Sequence, residues 1–375
     1  MSRNGADSLA KTLADLGVDT CFANPGTTEM HLLAAFGRET RIALHLCLFE
    51  GVATGAADGF GRMTGRPAAT LLHLGPGLAN GMANLHNARK AATPLLNIVG
   101  EHATYHTQFD APLTADIEGM ARPVSDWVGT AHAASDLSGL AAQMVANAQG
   151  AARVATLIVP NDAAWNEDDT PAPDLASDPP LMPTDAAISA CASALRPGAA
   201  LILGAPFLTA RIAELATSIA AATGCEVLTE AAVARMARGR GVAALQRVPF
   251  HVDFATEALK HLHTVVLAGS REPVAFFAYP GRPSRMLPPS CRVMALAEPL
   301  ADLDSALSRL AAAVGATPTL IAVQDLPALP ASGPVTPQSL AVSVAHALPE
   351  GAIVVDESIT SGAHLFSTCA NAAPH

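Results

Sequence analysis

Four short segments of this 375-residue sequence carry side chains whose types and spacing could do chemistry. Leu48-Phe49-Glu50-Gly51 sets a carboxylate beside an aromatic ring, followed by Ala53, Gly55, Ala56, Ala57 and Gly59. A carboxylate at a helix start has a plain reason, since it faces the positive end of the dipole. One placed among apolar and small residues is also partly desolvated, and such a group needs a partner. Asn24-Pro25-Gly26-Thr27-Thr28-Glu29 reads as a tight Pro-Gly turn, two hydroxyls and a Glu that completes a helix cap. His73-Leu74-Gly75-Pro76-Gly77-Leu78-Ala79-Asn80-Gly81 is a glycine-rich turn from strand to helix. Its spacing, G-x-G-x-x-x-G, departs from the dinucleotide fingerprint, and no acidic residue follows at a strand end about 20 positions on. His73 ends its strand and has an intrinsic pKa suited to acid–base work. Glu101 and His102 close the next strand; His102 and His106 are four apart, but no carboxylate completes H-E-x-x-H, so no metal site is expected there. No G-x-S-x-G elbow occurs, which argues against a serine hydrolase.

The elements that must position these groups alternate. Apolar runs at 20–23, 42–46, 68–73, 95–99 and 155–159 read as buried strands, and helical spacing covers 4–16, 29–36, 50–63, 80–90 and 136–148. That repetition predicts a parallel sheet with helices on both faces, whose ligands sit at the carboxyl ends of the strands. Asp, Pro, Ser and Thr dominate 166–183, ending in Pro179, Pro180 and Pro183, and read as a linker. A second alternating unit has strands at 200–203, 226–228, 264–268 and 292–296 and helices at 205–223 and 300–314. A proline-rich stretch at 326–336 precedes a helix over 337–348, with Thr336 as N-cap and Pro337 at N1, and a strand at 352–355.

Composition sets the outer bounds. At roughly 150 residues per domain the length suggests two or three domains. Half the residues are hydrophobic and 15% are charged, so the chain can bury substantial cores. The net charge is −11, with no basic cluster beyond Arg89 and Lys90, which disfavours nucleic acid and anionic membranes as partners. Cys21, Cys47, Cys191, Cys225, Cys291 and Cys369 form no C-x-x-C pair, so neither zinc nor a disulfide framework is indicated. No transmembrane run or secretory pattern is present, and the cytoplasm is the expected compartment.

Taken in order, the motifs resemble a known family. Asn24-Pro25-Gly26-Thr27-Thr28-Glu29, Phe49-Glu50-Gly51 with Ala57-Asp58-Gly59-Phe60-Gly61-Arg62 and Gly65-Arg66-Pro67-Ala68, Gly75-Pro76-Gly77 with Asn80, and Pro94 with Gly100 follow the order and spacing of the pyrimidine-binding domain of thiamine-diphosphate enzymes. The sequence is most similar to the acetolactate synthase group over about residues 8–361. It also resembles benzoylformate decarboxylase, through the Asn-Pro-Gly loop and the strand-end histidine.

The resemblance implies two doubly wound α/β domains. They are a pyrimidine-binding domain over 1–165 and, after a linker at 166–184, a central Rossmann-like domain over 185–325; a second linker at 326–336 precedes the start of a third, diphosphate-binding domain at 337–375. It implies decarboxylation of a 2-oxo acid, carboligation, or both. The residue matching Glu50 hydrogen-bonds N1′ of the aminopyrimidine and favours the imino tautomer that deprotonates the thiazolium ring; His73 matches an acid–base histidine of the decarboxylases. Pro25, Gly26, Thr27, Gly75, Gly77 and Asn80 fall at cofactor-binding positions, and Thr28, Glu101 and His102 near the substrate. Relatives hold Mg²⁺ and the diphosphate on a Gly-Asp-Gly motif in the third domain. That motif is absent, and 353–361 looks like the opening of that domain, so the chain is expected to be cut short and inactive alone. FAD on the central domain, at Leu203-Gly204-Ala205 and Ala268-Gly269-Ser270-Arg271, stays open. A homodimer or homotetramer is implied. Glu101-His102 and Asp110-Ala111-Pro112-Leu113 depart from the synthase pattern and leave the donor and acceptor acids undefined. The competing reading is a non-catalytic α/β protein that binds a nucleotide or cofactor.

Overall fold

The computed structural model of the chain describes residues 3–150, 153–168, 170, 181–330 and 332–375. Much of the expected linker at 166–184, including Pro179 and Pro180, lies outside the described residues. The chain divides into two compact units, Met1–Pro179 and Pro180–His375.

The first unit is a six-stranded sheet made of β1 (Thr20–Asn24), β2 (Ala43–Leu46), β3 (Ala68–Leu72), β4 (Leu95–Glu101), β5 (Trp127–Thr130) and β6 (Val154–Pro160). Every neighbouring pair is parallel, in the order β2-β1-β3-β4-β6-β5. Its helices are α1 (Gly5–Asp15), α2 (Met30–Arg38), α3 (Glu50–Thr64), α4 (Leu74–Lys90), α5 (Ile117–Ala121), α6 (Leu137–Gln149) and α7 (Asn161–Trp165). Successive strand residues feed opposite faces, as the pleat demands. Leu71, Ile98 and Leu157 join Leu9, Leu13 and Phe36 in one core, whereas Leu72, Val99 and Ile158 join Leu78 and Leu85 in the other. The interior also holds a polar line across three strands. Thr70 Oγ1 donates to Asn97 Oδ1 at 2.8 Å, Asn97 Nδ2 to Thr156 Oγ1 at 3.1 Å, and Ser125 Oγ lies 2.6 Å from Thr156 Oγ1. Each buried group thereby has a partner.

The second unit pairs β7 (Ala199–Leu203), β8 (Glu226–Thr229), β9 (Gln246–Arg247), β10 (Thr264–Ala268) and β11 (Arg292–Ala297) in the all-parallel order β11-β10-β7-β8-β9. Helices α8 (Asp185–Ala194), α9 (Ala210–Thr223), α10 (Val252–Leu259), α11 (Leu303–Ala313), α12 (Pro337–Ala347) and α13 (Leu365–Thr368) complete it. Both units are thus doubly wound α/β folds, as expected. Thr336 caps α12 through the Ser339 amide, with Pro337 in the first turn.

Three local readings change. The strand expected at 352–355 does not form: among the described residues its backbone has no strand to pair with, and Ile353, Val354 and Val355 are exposed. An isolated strand leaves its amides to water and gains nothing from extension. The helix expected at 80–90 begins at Leu74, so Gly75, Pro76 and Gly77 form its first turn and not a free loop; proline is favoured there because its missing N–H would be unpaired anyway. The edge strand β5 escaped the periodicity reading because it is short and only half-buried.

No helix among the described residues is long and apolar enough to cross a membrane. All six cysteines are buried and unpaired.

Candidate functional site

From β1 the chain crosses to β2 on one side, then returns to β3 on the other. That reversal opens a crevice at the carboxyl ends, where Asn24 and Leu72 stand in register. The segments after β1, β2 and β3 carry Pro25 to Glu29, Glu50 and His73, so three motifs up to 48 residues apart in sequence end at one sheet edge.

Glu50 is the first residue of α3 and is half-buried. Asn80 Nδ2, on the second turn of α4, donates to its Oε2 at 3.0 Å. Its Oε1 lies 3.4 Å from where a Cβ on Gly77 would stand. The two helices come close because the contact is built from small residues: Asn84 Nδ2 donates to Gly51 O at 2.7 Å, and a Cβ on Gly81 would lie 2.9 Å from Thr54 Cγ2. Gly75, by contrast, packs against Ala115, where it lets α4 approach that segment.

Leu74 enters α4 with φ +51°, in the left-handed region, and is buried. A non-glycine residue held there costs about 1–3 kcal/mol. The residue before it is His73. Its Nδ1 lies 2.7 Å from Glu29 Oε2 and 3.2 Å from Thr28 Oγ1. Glu29 completes the cap read from the sequence, since Oε2 accepts from the Gly26 amide at 2.7 Å. The structure adds what the cap reading missed: Glu29 is completely buried and joined to His73. Two glycines make room for this pair. A Cβ on Gly26 would come within 2.4 Å of His73 Nδ1, and one on Gly100 within 1.8 Å of Glu29 Oε1. The signal available in the sequence was an acid between two threonines and an apolar helix, with a histidine ending a later strand. Pro25 is half-buried and Thr27 is exposed on the same loop.

Farther along the edge, Glu101, His102, Thr130, His132 and Ile158 line a cavity of about 350 Å³ at the ends of β4, β5 and β6. Burial pushes the Glu101 carboxyl above its ordinary range, opposed by the His102 amide that donates to Oε1 at 2.7 Å. Burial pushes His102 down, reinforced by His106 and His73 and opposed by Glu29. Both groups are thereby driven toward their neutral forms. His102 Nε2 is buried without a hydrogen-bond partner. No group of three or more His, Cys, Asp or Glu placed to hold a metal ion occurs among the described residues.

At the strand ends of the second unit, Glu230 lies beside Gly204 and Ser270. Glu230 accepts from the Arg271 amide at 2.8 Å, and a Cβ on Gly204 would lie 2.6 Å from the Glu230 carboxyl carbon and 2.7 Å from Ser270 Cβ.

Residues 3–122 match the family model described as "Thiamine pyrophosphate enzyme, N-terminal TPP binding domain". The chain is 45% identical to "Putative acetolactate synthase large subunit IlvX" of Mycobacterium tuberculosis, over 99% of its own length and 72% of that protein's. It is 33% identical to benzoylformate decarboxylase of Pseudomonas aeruginosa over 35% of this chain and 25% of that one. In fold it is similar to the thiamine diphosphate-dependent 4-hydroxybenzoylformate decarboxylase of Rhodococcus jostii RHA1, with a TM-score of 0.81, 21% identity and coverage of 99% of this chain and 74% of that one. Similarity sustained across the whole chain, with the three motif loops brought to one sheet edge, makes this protein a member of the thiamine-pyrophosphate-dependent enzyme family, of the acetolactate-synthase-like kind.

Proposed function

We propose that the first unit is the half-site that binds and activates the aminopyrimidine of thiamine diphosphate for decarboxylation or carboligation of a 2-oxo acid. The observation that carries this reading is the half-buried Glu50 carboxylate, held by Asn80 beside Gly77 where α3 packs on α4. Such a carboxylate is shielded enough to share a proton with a ring nitrogen and open enough to be reached by one. When bound, the cofactor supplies the carbon nucleophile and the electron sink, while the protein supplies binding, orientation and electrostatics.

In that division of labour Glu50 holds the proton at the pyrimidine nitrogen, and Asn80 keeps its carboxylate oriented. Pro25, Gly26 and Thr27 border the reacting centre, Gly77 leaves room beside Glu50, and Gly75 supports α4 from behind. His73 moves protons at the substrate. Thr28, Glu101 and His102 bound the substrate side, and Mg²⁺ arrives with the cofactor diphosphate. No step is assigned to FAD. Leu46, Leu48, Phe49 and Val52 leave a strongly exposed apolar rim around Glu50, which supports a second copy of the chain as the partner there.

The test is deuterium exchange at the thiazolium carbon of thiamine diphosphate, followed in the full-length gene product with Mg²⁺ present. Wild-type protein accelerates the exchange and Glu50→Gln does not. Equal rates for the two proteins would overturn the assignment.

A further inference from the structure

Glu29 is the most deeply buried carboxylate at the site, with no accessible surface. Its polar contacts are the Gly26 amide, the Thr28 hydroxyl and His73 Nδ1, with no lysine or arginine among them. Burying a carboxylate costs several kcal/mol unless charge or hydrogen bonds compensate it. Capping a three-residue turn does not call for that, because a solvent-exposed Glu or Gln at the same position would serve. Gly26 and Gly100 are both kept bare around this one pair. His73 retains 24% of its side-chain surface, and its Nε2 has no protein partner among the described residues.

We infer that Glu29 is a positioning residue that acts through His73: it holds the imidazole proton on Nδ1 and so presents the Nε2 lone pair to the substrate. The inference rests on the reading of His73 as the proton-moving group of the site. A histidine has two neutral tautomers, and the bond made by one nitrogen decides what the other offers. Here the inward Nδ1–H donates to Glu29 Oε2. Nε2 therefore exchanges a proton with the oxygen of the reacting carbonyl: the protonated ring gives one when that carbonyl is attacked, and the neutral ring takes one back when the product carbonyl re-forms, while the Nδ1 proton stays on the ring throughout. When Nε2 is protonated the ring becomes a cation, and the Glu29 carboxylate 2.7 Å away faces the new charge. Thr28 holds the other carboxylate oxygen, which stops the group from turning away.

Nitrogen-15 NMR of histidine-labelled protein tests this without cofactor or turnover, with His73 assigned by the signals missing in His73→Asn. The wild-type ring is expected as the Nδ1–H tautomer with a strongly deshielded Nδ1 proton. Glu29→Leu, which removes the acceptor, is expected to lose that tautomer preference. Glu29→Gln, which keeps an acceptor for both His73 and the Gly26 amide, is expected to keep the tautomer while the proton resonance moves upfield. An unchanged nitrogen pattern in Glu29→Leu would overturn the inference. If that variant does not fold, an unchanged proton resonance in Glu29→Gln would overturn it instead. In the full-length gene product with thiamine diphosphate, Mg²⁺ and a 2-oxo acid that the wild type turns over, Glu29→Gln is expected to lower kcat by at least about tenfold with KM nearly constant. Full kcat in Glu29→Gln would also overturn the inference. Failure of the Glu50 exchange test would leave the ring-nitrogen result standing, so the two readings fail separately.

Discussion

Asn80 donates a 3.0 Å hydrogen bond to Glu50, 30 residues away in sequence, across the contact between α3 and α4. The bond joins an exposed amide to a half-buried carboxylate, so it is charge-assisted and sets which carboxylate oxygen remains available. Asn80→Ala should slow the exchange at the thiazolium carbon by about tenfold, the usual worth of one such bond. Asn80→Asp should slow it further, because it sets a like charge against Glu50. Circular dichroism of both variants should match wild type, since position 80 is exposed.

The packing of the His73 ring against Gly26 makes a stability prediction. A methyl at position 26 would enter the 2.4 Å gap to Nδ1. Gly26→Ala should therefore displace the imidazole from Glu29 and destabilise the fold by about 1–3 kcal/mol, as overpacking does. Urea unfolding monitored by fluorescence gives the midpoint, and the His73 ring nitrogens report the displacement.

The polar line through the sheet makes another. Asn97→Leu strands the Thr70 hydroxyl, whose hydrogen-bond acceptor is Asn97 Oδ1, inside a dry core. The cost should be about 1–3 kcal/mol in urea unfolding. Adding Thr70→Val replaces the stranded hydroxyl with a methyl and should recover part of that loss. A double variant no more stable than Asn97→Leu would show that the Thr70 hydroxyl finds another partner.

Glu101 should make stability fall with rising pH. Burial raises its pKa in the folded chain above the unfolded value, so the protonated form is the one the fold favours. The contribution is complete below the ordinary glutamate range and is lost as pH climbs through the raised folded value. Glu101→Gln keeps the acceptor for the His102 amide and removes the charge. It should match wild type in melting temperature in acid and exceed it at neutral pH, with the difference opening above the ordinary glutamate range.

The sequence by itself determined the alternation of strands and helices, the placement of Glu50 at a helix start and His73 at a strand end, and the cap formed by Glu29. Each depends on a local period, a breaker or a capping rule, and these act within a few residues. What only the tertiary structure decided is which of those groups meet. Glu29 and His73 are 44 residues apart, and their contact exists because β1 and β3 are neighbours in register and because Gly26 and Gly100 leave space. The same holds for the start of α4, where a buried Leu74 at positive φ carries the glycine turn into the helix, and for 352–355, whose apolar pattern suits a strand but has none to pair with. Local chemistry sets what each segment can become; burial and pairing, which depend on residues far away in the chain, select among those possibilities.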